Sequence, residues 1–567
     1  MKLQRNLFAL AMLFALLCAP FGRAQKESAD APAHAWWKHA VIYEVYPRSF
    51  ADSNGDGIGD LNGITSKLDY LQALGVDAIW ITPFFPSPQV DFGYDVSNYA
   101  DIDPMYGTLA DFDRLVVEAK KRNIRVILDF VVNHTSDQHP WFVDSRSSRT
   151  AAHRDWYIWR DGKEPGQPPN NWLSTFGLSA WKYDPTTNQF YYHYFYPEQP
   201  DLNWRNPEVE KAMFDVTRFW YRRGVAGFRL DAVDTLFEDP NLTDNPVLPG
   251  TDKFGRPNMQ NKYNAKLPEV HTALQRLRKV ADEYDAVLIG ETWTSNVAEL
   301  EKYYGAKGNE LQLPMDLMLT RLPLSANTLR EHIKAVDTAG GWPTYVITNH
   351  DIQRSYSRYG DGVHNDDIAK MLAGFYLTLR GTAIMYYGEE IAMENNDPKR
   401  KEDVKDPIGV LGWPKEIGRD GERTPMQWNN SANAGFTTGT PWLPVPQSAK
   451  TRNVEVESKN PNSVLSFYKQ VLHLRRTEPG LMAGEYVPLN ESDANVLSYL
   501  RKSENGTVLV VLNISGKPLT ASFDLSKQGL AGAKVTALVQ NAVSVPDGVL
   551  KEVKLEPYGV YIGRVSR

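Results

Sequence analysis

The stretch "VEKAMFDVTRFWYRRGVAGFRLDAVD", Val209 to Asp234, changes period in the middle. Up to Tyr221 the apolar residues recur every three to four positions, as on a buried helix face; Gly224 stops that pattern, and "GFRLDAV" (227–233) follows as a short strand-like run. A helix that ends on glycine and leads straight into an apolar strand is the repeating unit of a parallel α/β sheet. The same alternation extends in both directions. Strand candidates are "VIYEVY" (41–46), "AIWITP" (78–83), "RVILDFVV" (125–132), "AVLIGET" (286–292), "LQLPMDL" (311–317), "TYVITN" (344–349) and "AIMYYG" (383–388), with helical stretches such as "LADFDRLVVEAKKR" (109–122) between them. Together with 227–233 these make eight, which predicts an α/β fold of the (β/α)8 TIM-barrel type, with chemistry on the loops after the strand C-termini.

One interval is too long for a simple connection. Nearly a hundred residues separate the third and fourth strands, and they include the aromatic, turn-rich "SAWKYDPTTNQFYYHYFYPEQPDLNW". This reads as an inserted domain B at 134–199, walling the site, between barrel segments 25–133 and 200–481. From about residue 482 the texture becomes short β-like runs ("VLSYLRK", "TVLVVLNI", "GVYIGRV") broken by Gly, Pro, Asn and Ser, the pattern of a terminal antiparallel β-sandwich over 482–567.

Composition sets limits on partners. At 567 residues with 42% hydrophobic and 11% aromatic content, the chain has ample material for a large core and two or three domains. Residues 1–24 read as a secretory signal: Lys2 and Arg5 precede the apolar run "LFALAMLFALLCAP", and Gly22, Arg23 and Ala24 supply a cleavage-site pattern. The run falls short of the roughly 20 residues a spanning helix needs. Cys18, the only cysteine, lies in this leader, so no disulfide is expected. Loss of the leader takes basic residues from 62 to 59 against 69 acids, and net charge from −7 to −10. An acidic chain without basic runs argues against nucleic acid and against a membrane surface, and the leader implies a periplasmic or secreted destination.

Polar residues gather where four of the strands end. "DFVVNH" carries Asp129, Asn133 and His134; "GFRLDAVD" carries Arg229 and Asp231; "GETW" carries Glu291; "TNHD" carries His350 and Asp351. Side chains two apart on a strand share a face, so Arg229 is expected beside Asp231, keeping it ionised as a nucleophile requires. Glu291 follows an apolar run and should face other carboxylates, which suits a general acid. Two carboxyls with distinct roles are what glycosidic cleavage needs. A metal hydrolase would also use His and carboxylates, but neither His-x-His nor His-Glu-x-x-His spacing occurs here.

These motifs, in this order and spacing, resemble glycoside hydrolase family 13, the α-amylase family, and within it the oligo-1,6-glucosidase and α-glucosidase group. The likeness runs from "WWKHAVIYEVYPRSFADSNGDGIGDLNGI" through "DFVVNHTS", "QPDLNW", "GFRLDAVD", "GETW" and "TNHD" to "GERTPMQW". It implies Asp231 as nucleophile, Glu291 as acid/base and Asp351 as transition-state stabiliser in a retaining reaction. It also implies that His134, Arg229 and His350 hold the sugar at the cleavage point over Tyr94. Asp91 and Arg423 are expected to pair around the non-reducing end, which implies exo cleavage of short α-glucosides. Phe92 stands where Asn is common and is expected to reshape the pocket rim. Ala232, in place of the Val that accompanies α-1,6 preference, leans the reading to maltose-type α-1,4 substrates. The alternatives are a transglucosidase or isomerase such as trehalose synthase or a sucrose isomerase, and a non-catalytic sugar-binding relative. The arginine-rich "RLDRD" loop of sucrose isomerases is absent near residue 353, which reads "IQRSYSRYG".

The stretch "DSNGDGIGD" (52–60) remains. Asp52, Asn54, Asp56, the Ile58 carbonyl and Asp60 place oxygens at alternating positions, a donor set for a hard cation, while Gly63 stands where an EF-hand requires Glu. Similar α-glucosidases bind a structural Ca2+ at this loop, and Ca2+ is the expected cofactor.

Overall fold

The computed structural model describes residues 35–543, 545 and 548–566. The leader over 1–24, with Cys18, lies outside them. The eight expected strands are all present: β1 (Val41–Val45), β2 (Ala78–Ile81), β3 (Arg125–Val131), β4 (Gly227–Asp231), β5 (Val287–Gly290), β6 (Leu313–Pro314), β7 (Thr344–Val346) and β8 (Thr382–Tyr386). They hydrogen-bond in parallel in the order β6-β5-β4-β3-β2-β1-β8-β7, and a parallel bridge between Asp316 and Tyr345 joins the two ends into a barrel. Every residue of β1, β2, β4, β5 and β8 is buried, which is why these strands read as unbroken apolar runs and not as alternating ones.

The helices that cover the barrel follow from the same stretch. Helix α1 (Leu109–Lys121) opens on a capping box between Thr108 and Asp111 and buries Phe112, Leu115 and Ala119. Helix α2 (Pro207–Tyr221) starts behind Asn206, whose side chain accepts the Glu208 N–H, and buries Val209, Met213, Phe214, Thr217 and Trp220. It ends as the pattern predicts: the N–H of Gly224, at φ +92°, returns to the Tyr221 carbonyl, and β4 begins three residues later. Gly227, the first residue of β4, has no room for a side chain, because a Cβ would lie 2.4 Å from the Val287 carbonyl on β5.

Between β3 and β4 the chain forms a small antiparallel sheet from Trp159–Arg160, Trp181–Asp184 and Gln189–Tyr192, packed on its own core of Trp172, Trp181, Phe190 and Tyr192. A second excursion follows β4, a hairpin of Val247–Thr251 with Pro257–Met259 that the sequence did not announce. The C-terminal strands join one antiparallel sheet of seven, in which Gly506–Asn513 alternates between two cores. Val508, Val510 and Leu512 belong to the barrel's core, while Leu509 and Val511 pack with Val553, Leu555 and Tyr561 in a second. Among the described residues no helix is long and apolar enough to cross a membrane.

Candidate active site

A cavity of about 810 Å3 opens at the C-terminal ends of the barrel strands, and Asp231, Glu291 and Asp351 all lie on its wall. Strand register brings the first two together. Val131 of β3 pairs with Asp231, and Leu230 pairs with Gly290, so the next residue of β5's path, Glu291, comes level with Asp231. The same register sets Asp129 opposite Arg229. Arg229 is wholly buried and binds both: Nη1 donates to Asp129 Oδ1 (2.9 Å) and to Asp231 Oδ1 (2.7 Å), while Nη2 lies 3.0 Å from Glu291 Oε2. Glu291 is held further by the Ala232 N–H on Oε2 (3.0 Å) and by the Trp293 indole N–H on Oε1 (2.9 Å).

The electrostatics of this cluster correct the expectation that Arg229 keeps Asp231 ionised. Burial pushes the Asp231 carboxyl well above its ordinary range against the pull of Arg229, with Glu291 and Asp129 adding to the rise. Burial likewise lifts Asp129 to about 6, with Arg229 opposing. One guanidinium faces three carboxyls here, and its charge does not offset the burial of Asp129 and Asp231.

Asp351 is the opposite case. Burial raises its pKa, but His350, Arg419 and Arg423 together hold it far below the carboxylate range. Burial keeps His350 itself neutral, so the two guanidiniums carry the effect. Arg419 Nη1 and Arg423 Nη2 both donate to Asp351 Oδ1, at 2.9 and 2.7 Å.

The remaining predicted residues divide into wall and support. Asp91, Tyr94 and His134 line the cavity. His134 Nε2 stands 3.1 Å from the Tyr94 carbonyl, and burial drops its pKa to about 3. Tyr94 stacks on His350 at 5.5 Å, its hydroxyl 2.7 Å from Nε2, while Nδ1 lies 2.5 Å from Glu44 of β1. His350, Arg229 and Arg423 are fully buried behind this layer, absent from the cavity wall.

Two expectations are overturned. Asp91 pairs with Arg419 (3.0 Å), not with Arg423, which instead donates to the His350 carbonyl and Asp351 under Tyr46. Phe92 does not shape the rim; its ring packs on Trp442 and under the Arg48 guanidinium. Arg419 was missed although it stands four residues before Arg423 in the same segment. Also unforeseen are Phe176 and Phe195 from the insertion, Lys266 after the hairpin, and Trp293 with Arg321, all on the wall. Trp293 follows Glu291 by two residues in "GETW", and its contact with that carboxyl emerges only in the fold.

The metal expectation meets a loop that bonds to itself. Asp52 accepts the Asn54, Gly55 and Gly57 N–H groups, Asp56 accepts that of Ile58, and Asp60 caps the following helix through Gly63 while also binding Ser53. Asn54 and Asp56 touch at 3.0 Å on the exposed side. All donors are oxygens, which fits a hard cation in chemistry. Among the described residues no group of three His, Cys, Asp or Glu stands together as a metal cluster.

Comparison with known proteins gives the following. The family model described as alpha amylase, catalytic domain, matches residues 44–484, and that described as maltogenic amylase, C-terminal domain, matches 486–562. A probable alpha-glucosidase of Rhizobium meliloti (strain 1021) is 42% identical over 557 residues, covering 94% of this chain and 98% of that one. An oligo-1,6-glucosidase of Parageobacillus thermoglucosidasius is 39% identical, covering 94% and 99%. Among solved structures, the trehalulose synthase MutB from Pseudomonas mesoacidophila MX-45 is similar with a TM-score of 0.85 at 38% identity, covering 94% of this chain and 99% of that one.

Proposed function

The chain belongs to the alpha-amylase family of glycoside hydrolases, and from that premise we propose that it is a retaining, exo-acting α-glucosidase releasing glucose from short α-glucosides. The observation that carries this reading is the shared guanidinium of Arg229. It brings Asp231 and Glu291 to one wall of the cavity, each within 3.0 Å of the same cation. Bond cleavage uses both carboxyls. Asp231, bound by Arg229 Nη1, attacks the anomeric carbon as Glu291 passes a proton to the departing oxygen. Water then returns a proton to Glu291 as it displaces Asp231 from the glucosyl ester. Asp351, kept ionised by Arg419 and Arg423, faces the positive charge that develops on the sugar ring. The Asp91–Arg419 pair beside it supports recognition of a terminal, non-reducing glucose.

Ala232 lines the cavity next to Asp231, and the small residue there keeps the α-1,4 reading that the family resemblance implies.

A transglucosidase or isomerase is the second reading, favoured by the likeness to the trehalulose synthase. Against it, the arginines of "IQRSYSRYG" serve the scaffold. Arg354 is buried and donates to the Tyr387 carbonyl (2.7 Å), and Arg358 donates to the Gln353 carbonyl (2.7 Å); neither lines the cavity.

The test is to incubate the protein separately with maltose, isomaltose, sucrose and trehalose and to resolve the products by chromatography. Glucose from maltose, lost in Asp231→Asn, is the expected result. Trehalose from maltose, or an isomer from sucrose, as the main product would overturn it.

A further inference from the structure

Glu291 has two oxygens in unequal surroundings. Oε2 accepts the Ala232 N–H at 3.0 Å and lies 3.0 Å from the Arg229 guanidinium, an ion-pair contact without a hydrogen bond from Nη2. Oε1 has one protein donor, the Trp293 indole N–H at 2.9 Å. Trp293 is half-buried and on the cavity wall, and the Arg321 guanidinium lies 4.4 Å over its ring. That guanidinium also lines the cavity and, among the described residues, has no hydrogen-bond or ion-pair partner.

We infer that Trp293 is the positioning residue for the acid/base: it turns Glu291 so that Oε1 is the atom exchanging a proton with the glycosidic oxygen, and Arg321 clamps the indole in place. This rests on the reading of Glu291 as acid/base. The surroundings select Oε1: a proton on Oε2 would face the Arg229 cation 3.0 Å away, whereas Oε1 meets only the Trp293 N–H. When the proton leaves Oε1 for the departing oxygen, negative charge appears on that atom, and the indole N–H is already aimed at it. The proton returns to the same atom from water in the second step, so the bond works in both half-reactions. The guanidinium over the ring holds the indole at the cavity wall, with its N–H on Glu291 Oε1.

The test separates this role from a structural one by leaving-group ability. Trp293→Phe keeps the ring under Arg321 and deletes only the N–H. Its kcat/KM is expected to fall roughly 10- to 100-fold for maltose, the size of a lost hydrogen bond to a charged group. For 2,4-dinitrophenyl α-D-glucoside, whose leaving group departs without a proton, kcat/KM should stay within about threefold of the unsubstituted protein. Equal losses on both substrates, or no loss on either, would overturn the positioning role. Glu291→Gln, assayed in parallel, keeps the two readings apart. Selective loss on maltose in Glu291→Gln with an indifferent Trp293→Phe rejects Trp293 alone. Equal loss on both substrates in Glu291→Gln rejects Glu291 as the acid. Thermal unfolding of each variant shows whether the fold is intact.

Discussion

The Arg419 guanidinium touches three carboxylates, Asp91 at 3.0 Å, Asp351 at 2.9 Å and Asp406 at 2.7 Å. Burial lifts Asp91 to about 6, and Arg419 is the largest force opposing that rise. Asp91 must be ionised to accept hydroxyls of a terminal sugar, so kcat/KM for maltose should decline as pH falls through about 6. Arg419→Met removes the opposing charge. The acid limb should then move to higher pH and KM should rise roughly tenfold or more, as for a lost charged hydrogen bond. A pH profile of kcat/KM checks this, and an acid limb that stays in place would separate Asp91 from it. Arg419 was not legible in the sequence because its segment has no period: "GRDGERTPMQW" offers two arginines, and only packing ranks them. Arg423 is drawn inward to the His350 carbonyl, which leaves the wall to Arg419. The acids, in contrast, were legible because β-strand periodicity fixes which face they share.

At the scale of elements, legibility follows burial. All eight barrel strands showed in the sequence because their sides are apolar, even β6, cut to Leu313–Pro314 by a proline that has no N–H to donate. The hairpin after β4 did not show. Val247–Thr251 is exposed at every position and carries Pro249 and Gly250, so it has neither alternation nor an apolar run. Yet it reaches two other segments, through Arg256 to the Phe176 carbonyl and through Lys253 to Glu416. The loop 52–60 was legible as oxygen donors, and its backbone is built for a tight path: Gly57 sits at φ +94°, where a Cβ would meet the Thr440 carbonyl at 1.9 Å. We propose that this loop takes Ca2+ through Asp52, Asn54, Asp56, the Ile58 carbonyl and Asp60, with the contacts among these side chains exchanged for metal bonds. Millimolar Ca2+ should then raise the melting temperature of chelator-treated protein, because a ligand bound only by the native state stabilises it. Asp56→Ala should abolish the increment. An identical melting temperature with and without Ca2+ would leave the loop as a polar turn.

Over the whole molecule, buried acids tie stability to pH. Burial pushes Glu389 and Glu238 up to about 7 and Glu422 up to about 8, each against weaker hydrogen bonds or an arginine. A carboxyl whose native pKa is raised keeps its proton in the folded state after the unfolded chain has lost it. Its stabilising effect is complete below the ordinary value near 4.5 and is lost as pH rises through 7 to 8. Asp406 runs the other way: burial is outweighed by Arg419, which holds it at about 2. Its contribution is present above about 4 and fades as pH falls through the native value. The two trends leave a maximum near pH 5, with melting temperature falling toward pH 8. Glu389 isolates one proton of that slope away from the active site. Its Oε1 accepts the Tyr376 and Tyr468 hydroxyls at 2.5 and 3.0 Å, while Oε2 is buried without a partner among the described residues. Glu389→Gln keeps an acceptor for the tyrosines and cannot ionise. The variant should lose about 1.4 kcal/mol less per pH unit between pH 5 and 7 than the parent, the value of one proton. Calorimetry at a fixed scan rate measures it, and a parent whose melting temperature rises from pH 5 to 8 would mean that these acids are ionised in the native state.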